Sequence, residues 1–121
     1  MSIEAGLCKY AELNDKIKQE LRTKKKVTIT AVNGQRYIGC ALDAGKTIQV
    51  HGTPGNDMAC YLNGGKVEVF GNCQDAVGNT MNGGEIVIHG HAGDAMGYGM
   101  RDGQILSLIH ISEPTRLALI S

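Results

Sequence analysis

Histidines and cysteines carry the broadest chemistry in this chain, and there are four of each. His51, His89 and His91 lie in its glycine-rich middle, and only Gly90 separates the last two. Two or three imidazoles could ligate a transition metal, but such a site needs three or four ligands at fixed geometry, and no carboxylate recurs in their column. Cys8, Cys40, Cys60 and Cys73 form no CxxC spacing, which points to reduced thiols in a cytoplasmic protein. Cys40 and Cys60 share a repeat column and are expected to stack as a packed pair of thiols, with a disulfide or a metal as the alternatives. Cys73 with His89 or His91 would make a nucleophile and base, but nothing in the spacing joins them. Asn56, Asp75 and Asp94 recur at a fixed interval. Paired carboxylates can do acid–base work, yet Asn and Asp are equally what a turn requires. No serine falls between residues 27 and 105, so Asp94 beside His91 makes no serine triad. The glycine pairs Gly64-Gly65 and Gly83-Gly84, and Gly97-Tyr98-Gly99, lack the GK[ST] and the following helix of a phosphate loop.

The interval relating these residues is a repeat. Residues 47–65 read TIQVHGTPGNDMACYLNGG, residues 66–84 KVEVFGNCQDAVGNTMNGG and residues 85–103 EIVIHGHAGDAMGYGMRDG. A weaker copy, VTITAVNGQRYIGCALDAG, fills 27–45, with Lys46 as the one extra residue. Each copy opens on alternating apolar residues: Ile48 and Val50, Val67 and Val69, Ile86 and Ile88. Period-two apolar positions face one side of a strand, so these line an interior. Two more apolar columns follow, Ile38/Met58/Val77/Met96 and Leu42/Leu62/Met81/Met100. Glycines recur as Gly52/Gly71/Gly90, Gly78/Gly97 and Gly65/Gly84/Gly103. His51, Phe70 and His89 share an outward column, and Asn63 and Asn82 are expected to stack as an amide ladder.

A unit this short cannot bury its own apolar face and must stack on its neighbours. The expected fold is all-β: a right-handed parallel β-helix with one coil of roughly 19 residues per copy. A left-handed hexapeptide β-helix would need an apolar residue and a glycine every six residues, and that sub-period is missing. The glycine columns, with Asn63, Asn82, Asp75 and Asp94, are read as structural repeat positions. No residue is assigned a catalytic, cofactor-binding or metal-binding role.

Three segments follow from composition. Residues 1–26 carry seven Lys/Arg against four Asp/Glu, and within them YAELNDKIKQELRTK (10–24) has Tyr10, Leu13, Ile17 and Leu21 on one helical face. This helix is expected to cap the first coil, with docking to a partner as the alternative. Residues 27–105 are the repeats. Residues 106–121, LSLIHISEPTRLALIS, contain no glycine and fit no column after Gln104-Ile105. Leu106 to Arg116 resembles the translation of a transposase-type sequencing adapter, so this tail is read as a cloning scar on a shortened natural chain. His110 then carries no functional information, and an uncapped last coil is expected to give poor solubility or end-to-end association. Net charge is zero, no signal peptide or membrane span is apparent, and the basic end is too small and too poor in aromatics for nucleic acid.

GNTMNGG (78–84) and GYGMRDG (97–103) resemble the glycine-rich repeat of the GXGXG domain, the C-terminal β-helix of the glutamate synthase large subunit. NGQRYIG (33–39), GTPGND (52–57) and GNCQDAVGNTMNGG (71–84) look like its stand-alone archaeal and bacterial versions. The likeness runs from Tyr10 to Ile105. It implies a non-catalytic structural part of a glutamate-synthase-like oxidoreductase, serving glutamate biosynthesis. FMN and iron–sulfur clusters would sit on partner subunits or domains, and the partners would be the amidotransferase and the FMN-binding synthase parts. One of the subunits of formylmethanofuran dehydrogenase has similar repeats, so a scaffold of that kind is the alternative. A free-standing protein-interaction module, or an independent enzyme with a site on the β-helix face, are readings of another class.

Overall fold

The computed structural model describes residues 2–109 and 116–120; His110 lies outside them. The chain runs β1 (Ser2–Glu4), α1 (Tyr10–Glu20), β2 (Lys26–Asn33), β3 (Thr47–Thr53), β4 (Asn63–Phe70), β5 (Gly83–Ile88), β6 (Gln104–Ile109) and β7 (Arg116–Ile120). All seven strands lie in one sheet in sequence order. β1 to β6 are parallel, and β7 returns antiparallel to β6. The molecule is a parallel β-solenoid whose coils of about 19 residues each give one strand to this sheet.

Register follows the inward apolar residues. Val27, Ile48, Val67, Ile86 and Ile105 are paired in succession, as are Ile29, Val50, Val69, Ile88 and Ser107. All are fully buried except Ser107, which is 2% exposed and donates its hydroxyl to the Gly90 carbonyl at 3.0 Å. The register thus continues two residues beyond the expected break at Ile105, through Leu106 and Ser107. Branched and apolar side chains there suit a pleated strand, and the neighbouring edge is a template for them.

The first coil departs from the alignment read from the sequence. That alignment sets Val27 against Thr47, but the structure pairs Val27 with Ile48. The offset drops by one between Ile29 and Val32, where Ala31 takes a φ of 55°. A bulge absorbs one residue so that both the strand and the following turn find their columns.

The opposite limb of each coil is not a strand. Three alternate residues per coil are left-handed: Tyr37, Gly39 and Ala41; Asp57, Ala59 and Tyr61; Ala76, Gly78 and Thr80; Ala95, Gly97 and Gly99, with φ between 54° and 75°. Their N–H groups reach alternately forward and back. Asp57 donates to Asp75 O (3.2 Å) and Tyr61 to Asn79 O (2.8 Å) on the next coil, while Ala59 donates to Ile38 O (2.7 Å) on the one before. Backbone groups that must be satisfied are therefore paired between coils even where no strand exists. Ile38, Met58 and Val77, then Leu42, Leu62 and Met81, fill the interior behind this limb, and Met96 and Met100 are partly buried against it.

α1 covers a shorter span than residues 10–24. Leu13, Ile17 and Leu21 join the core, whereas Tyr10 stays 47% exposed and meets the Tyr37 ring at a tilt of 60°, 5.6 Å between ring centroids. Lys46, the extra residue, donates its ammonium to the Leu21 carbonyl at 2.8 Å, placing a cation at the helix C-terminus. β1 had no sequence signal. Three residues are too few for a periodicity, yet Ser2–Glu4 cover the open edge of β2.

Candidate functional site

The outward face of the sheet carries His51, Phe70 and His89. Outward positions of adjacent parallel strands stand about 4.8 Å apart, so side chains in one column touch. His51 and Phe70 stack at 4.8 Å and 11°, and Phe70 and His89 at 4.7 Å and 2°. Beside this stack runs a polar row. Thr28 Oγ1 donates to Gln49 Oε1 (3.3 Å), and Gln49 Nε2 donates to Glu68 Oε1 (3.2 Å). Glu68 Oε2 contacts His89 Nε2 at 2.9 Å. That bond holds the Glu68 carboxyl below its ordinary value, opposed by partial burial and helped by Gln49 and the Lys66 charge. Thr28, Gln49 and Glu68 gave no motif; outward strand positions two residues apart were the only signal. His91 does not join the stack. Its N–H donates to Asn72 Oδ1 (2.8 Å) and its carbonyl accepts from Cys73 N–H (2.8 Å).

The Asn56/Asp75/Asp94 column is a ladder of another sort. Asn56 Oδ1 accepts the Asp75 N–H at 2.9 Å, and Asp75 Oδ1 accepts the Asp94 N–H at 2.8 Å. Each side chain caps the turn of the coil after it. The expected Asn63/Asn82 amide ladder does not form: the Asn63 amide donates to Asp43 Oδ1 (3.2 Å), one coil earlier, and the exposed Asn82 is tied by its backbone N–H to Leu62 O (2.7 Å). Asp43 fills that column in the first copy, and a carboxylate is the stronger acceptor for the amide.

Close packing accounts for two glycine columns. A Cβ on Gly84 would overlap the Gly65 carbonyl oxygen, and one on Gly103 would lie 2.8 Å from the Gly84 carbonyl oxygen. A Cβ on Gly71 would overlap the Gly52 carbonyl oxygen, and one on Gly90 would lie 2.6 Å from that of Gly71. Gly78 and Gly97 occupy the left-handed limb instead.

Cys40 and Cys60 sit on adjacent coils, and the Cys60 thiol donates to Cys40 Sγ at 3.1 Å. All four cysteines are free. Burial, then the Cys40 sulfur, pushes the Cys60 thiol up to about 12; burial alone does the same to Cys73. A thiol held there is protonated at neutral pH, so Cys73 supplies no thiolate to a neighbouring imidazole. Among the described residues, no three or more His, Cys, Asp or Glu side chains gather to hold a metal ion, and an iron–sulfur cluster does not fit them. No helix among the described residues is long and apolar enough to cross a membrane.

The N-terminal cap forms a recess of about 270 Å³, lined in part by Leu7, Cys8, Tyr10, Gln35 and Arg36. Gln35 is buried there, donating to Gly6 O and Cys8 O at 3.0 Å and accepting from Asn33 N–H at 2.7 Å. It fastens the cap to the first coil.

The chain is 39% identical over 82 residues to uncharacterized protein MJ1350 of Methanocaldococcus jannaschii. The match covers 64% of this chain and 31% of that protein, so the chain spans about a third of its relative's length. No solved structure gives a significant match. The family model described as the GXGXG motif matches residues 8–113, and the chain therefore belongs to the GXGXG family, the repeat domain of glutamate-synthase-type proteins.

Proposed function

We propose that this chain is a non-catalytic structural part of a glutamate-synthase-like oxidoreductase complex, acting in the cytoplasm in glutamate biosynthesis. The family match over residues 8–113 carries the reading. The use of the candidate side chains supports it. Glu68, His89, Asn56 and Asp75 spend their hydrogen bonds on neighbouring coils, which stiffens the solenoid. A rigid rod with a regular outer face suits the holding of other domains at fixed separation. In this reading the partners are the amidotransferase and synthase parts, and FMN and iron–sulfur clusters belong to the synthase part. Function cannot be carried by fold alone, so the partner decides it.

The test is co-purification of the natural full-length protein from its own source, with identification of associated polypeptides and assay of flavin, iron and glutamine-dependent glutamate formation. Flavin- and iron-bearing partners with that activity are expected. Pterin-bearing partners would replace this reading with a scaffold like the repeat-bearing part of formylmethanofuran dehydrogenase. A protein recovered alone would leave a free-standing interaction module in its place.

A further inference from the structure

We propose that Cys40 and Cys60 are a reactive thiol pair that a low-molecular-weight disulfide oxidises to a bond between the first two full coils. Three observations place the chemistry. The two sulfurs already touch at 3.1 Å. Their backbones are held at inter-coil spacing by Ala41 N–H to Cys60 O (2.9 Å) and Ala59 N–H to Ile38 O (2.7 Å). That spacing of about 4.8 Å lies within the Cα separation a disulfide needs, so little backbone movement is required. Finally, a recess of about 130 Å³ opens on one partner alone. Cys40 lines it together with Lys18, Leu21, Asp43 and Lys46, whereas Cys60 is buried behind, 4% exposed.

The asymmetry orders the steps. Cys40 loses its proton and its thiolate attacks one sulfur of the incoming disulfide. One small thiolate leaves, and a mixed disulfide remains on Cys40. Lys18 and Lys46 beside the recess favour an incoming disulfide that carries carboxylates. Cys60 then loses its proton and attacks Cys40 Sγ, expelling the second small thiolate. The two released thiolates take up the two protons. Two protein thiols are oxidised, and one small disulfide is reduced to two thiols. Once Cys40 is capped, it no longer holds the Cys60 proton back by its charge or as an acceptor of the thiol hydrogen bond.

Oxidised glutathione is the probe, applied to the reduced full chain. The expected product is about 2 Da lighter than the starting protein, and its non-reducing tryptic map links residues 37–46 to residues 47–66. Cys73→Ser still forms that link. Cys60→Ser stops at a stable glutathione adduct on Cys40. The linked protein melts about 10 °C higher than the reduced one, as expected for closing a loop of this length. A wild-type protein that ends as the same stable adduct, or one whose link joins Cys8 or Cys73, overturns the proposal.

Discussion

Asp75 Oδ1 accepts the backbone N–H of Asp94, one coil further on, at 2.8 Å. The bond satisfies a turn donor that the coil itself leaves free. Asp75→Ala is expected to lower stability by about 1 kcal/mol, with Asp75→Asn retaining most of it because Asn56 already makes the same bond with an amide oxygen. Urea unfolding midpoints of the two variants decide it; equal losses would show that the acceptor does not matter.

Acid should act through Glu68. Its carboxyl is held below the ordinary carboxylate value, first by the His89 bond. A group lowered in the native state stabilises fully above its unfolded value of about 4.3. That contribution disappears as the pH falls through the lowered native value. His89→Gln should therefore bring the Glu68 carboxyl titration, followed by NMR, upward. It should also shrink the stability difference between about pH 6 and about pH 3. An unchanged Glu68 titration would mean that the 2.9 Å contact does not hold the charge.

Gly84 tests the close approach of coils. Its added Cβ would meet the Gly65 carbonyl oxygen, and its φ of 101° disfavours any side chain. Gly84→Ala should cost about 2–4 kcal/mol. At Gly34, also left-handed but with open space around the added atom, the same change should cost about half as much. Similar thermal shifts at the two sites would assign the whole effect to φ.

Thr80 offers the reverse experiment. It is β-branched at a φ of 54°, in the column where the next coil has Gly99. Thr80→Gly should raise stability by about 1 kcal/mol, relief of strain exceeding the added chain entropy. The Thr80 hydroxyl donates to the neighbouring Asn79 side chain at 2.9 Å, a local bond that water replaces. A lower melting temperature in the glycine variant would show that the hydroxyl outweighs the strain.

The stacking order could be read from the sequence because Ile48, Val67 and Ile86 recur at one interval and only a solenoid uses such a pattern. The His51/Phe70/His89 stack followed from the same columns. What the columns hide is diagonal or depends on register. Glu68 reaches His89 across strands and two residues along, and Asn63 turns back to Asp43 instead of forward to Asn82. The first coil slipped because a bulge at Ala31 moves its strand one residue relative to its own turn. The left-handed limb was half visible. Its glycines stood out, but Asp57, Tyr61 and Thr80 hold the same backbone conformation without announcing it. Their geometry is imposed by the neighbouring coils and not by local preference.

The bonds that join one coil to the next have a kinetic meaning. Gly78 to Met58, Asn82 to Leu62 and Gly97 to Val77 each span about one period of chain. Laying down a new coil therefore closes a loop of the same short length every time, and the entropic barrier per layer stays constant as the rod grows. Folding should resemble the growth of a crystal face, with the helix-capped first coil as its seed. A gene that duplicates one unit then lengthens the rod without slowing its assembly, and nothing in the folding itself sets an upper limit on its reach.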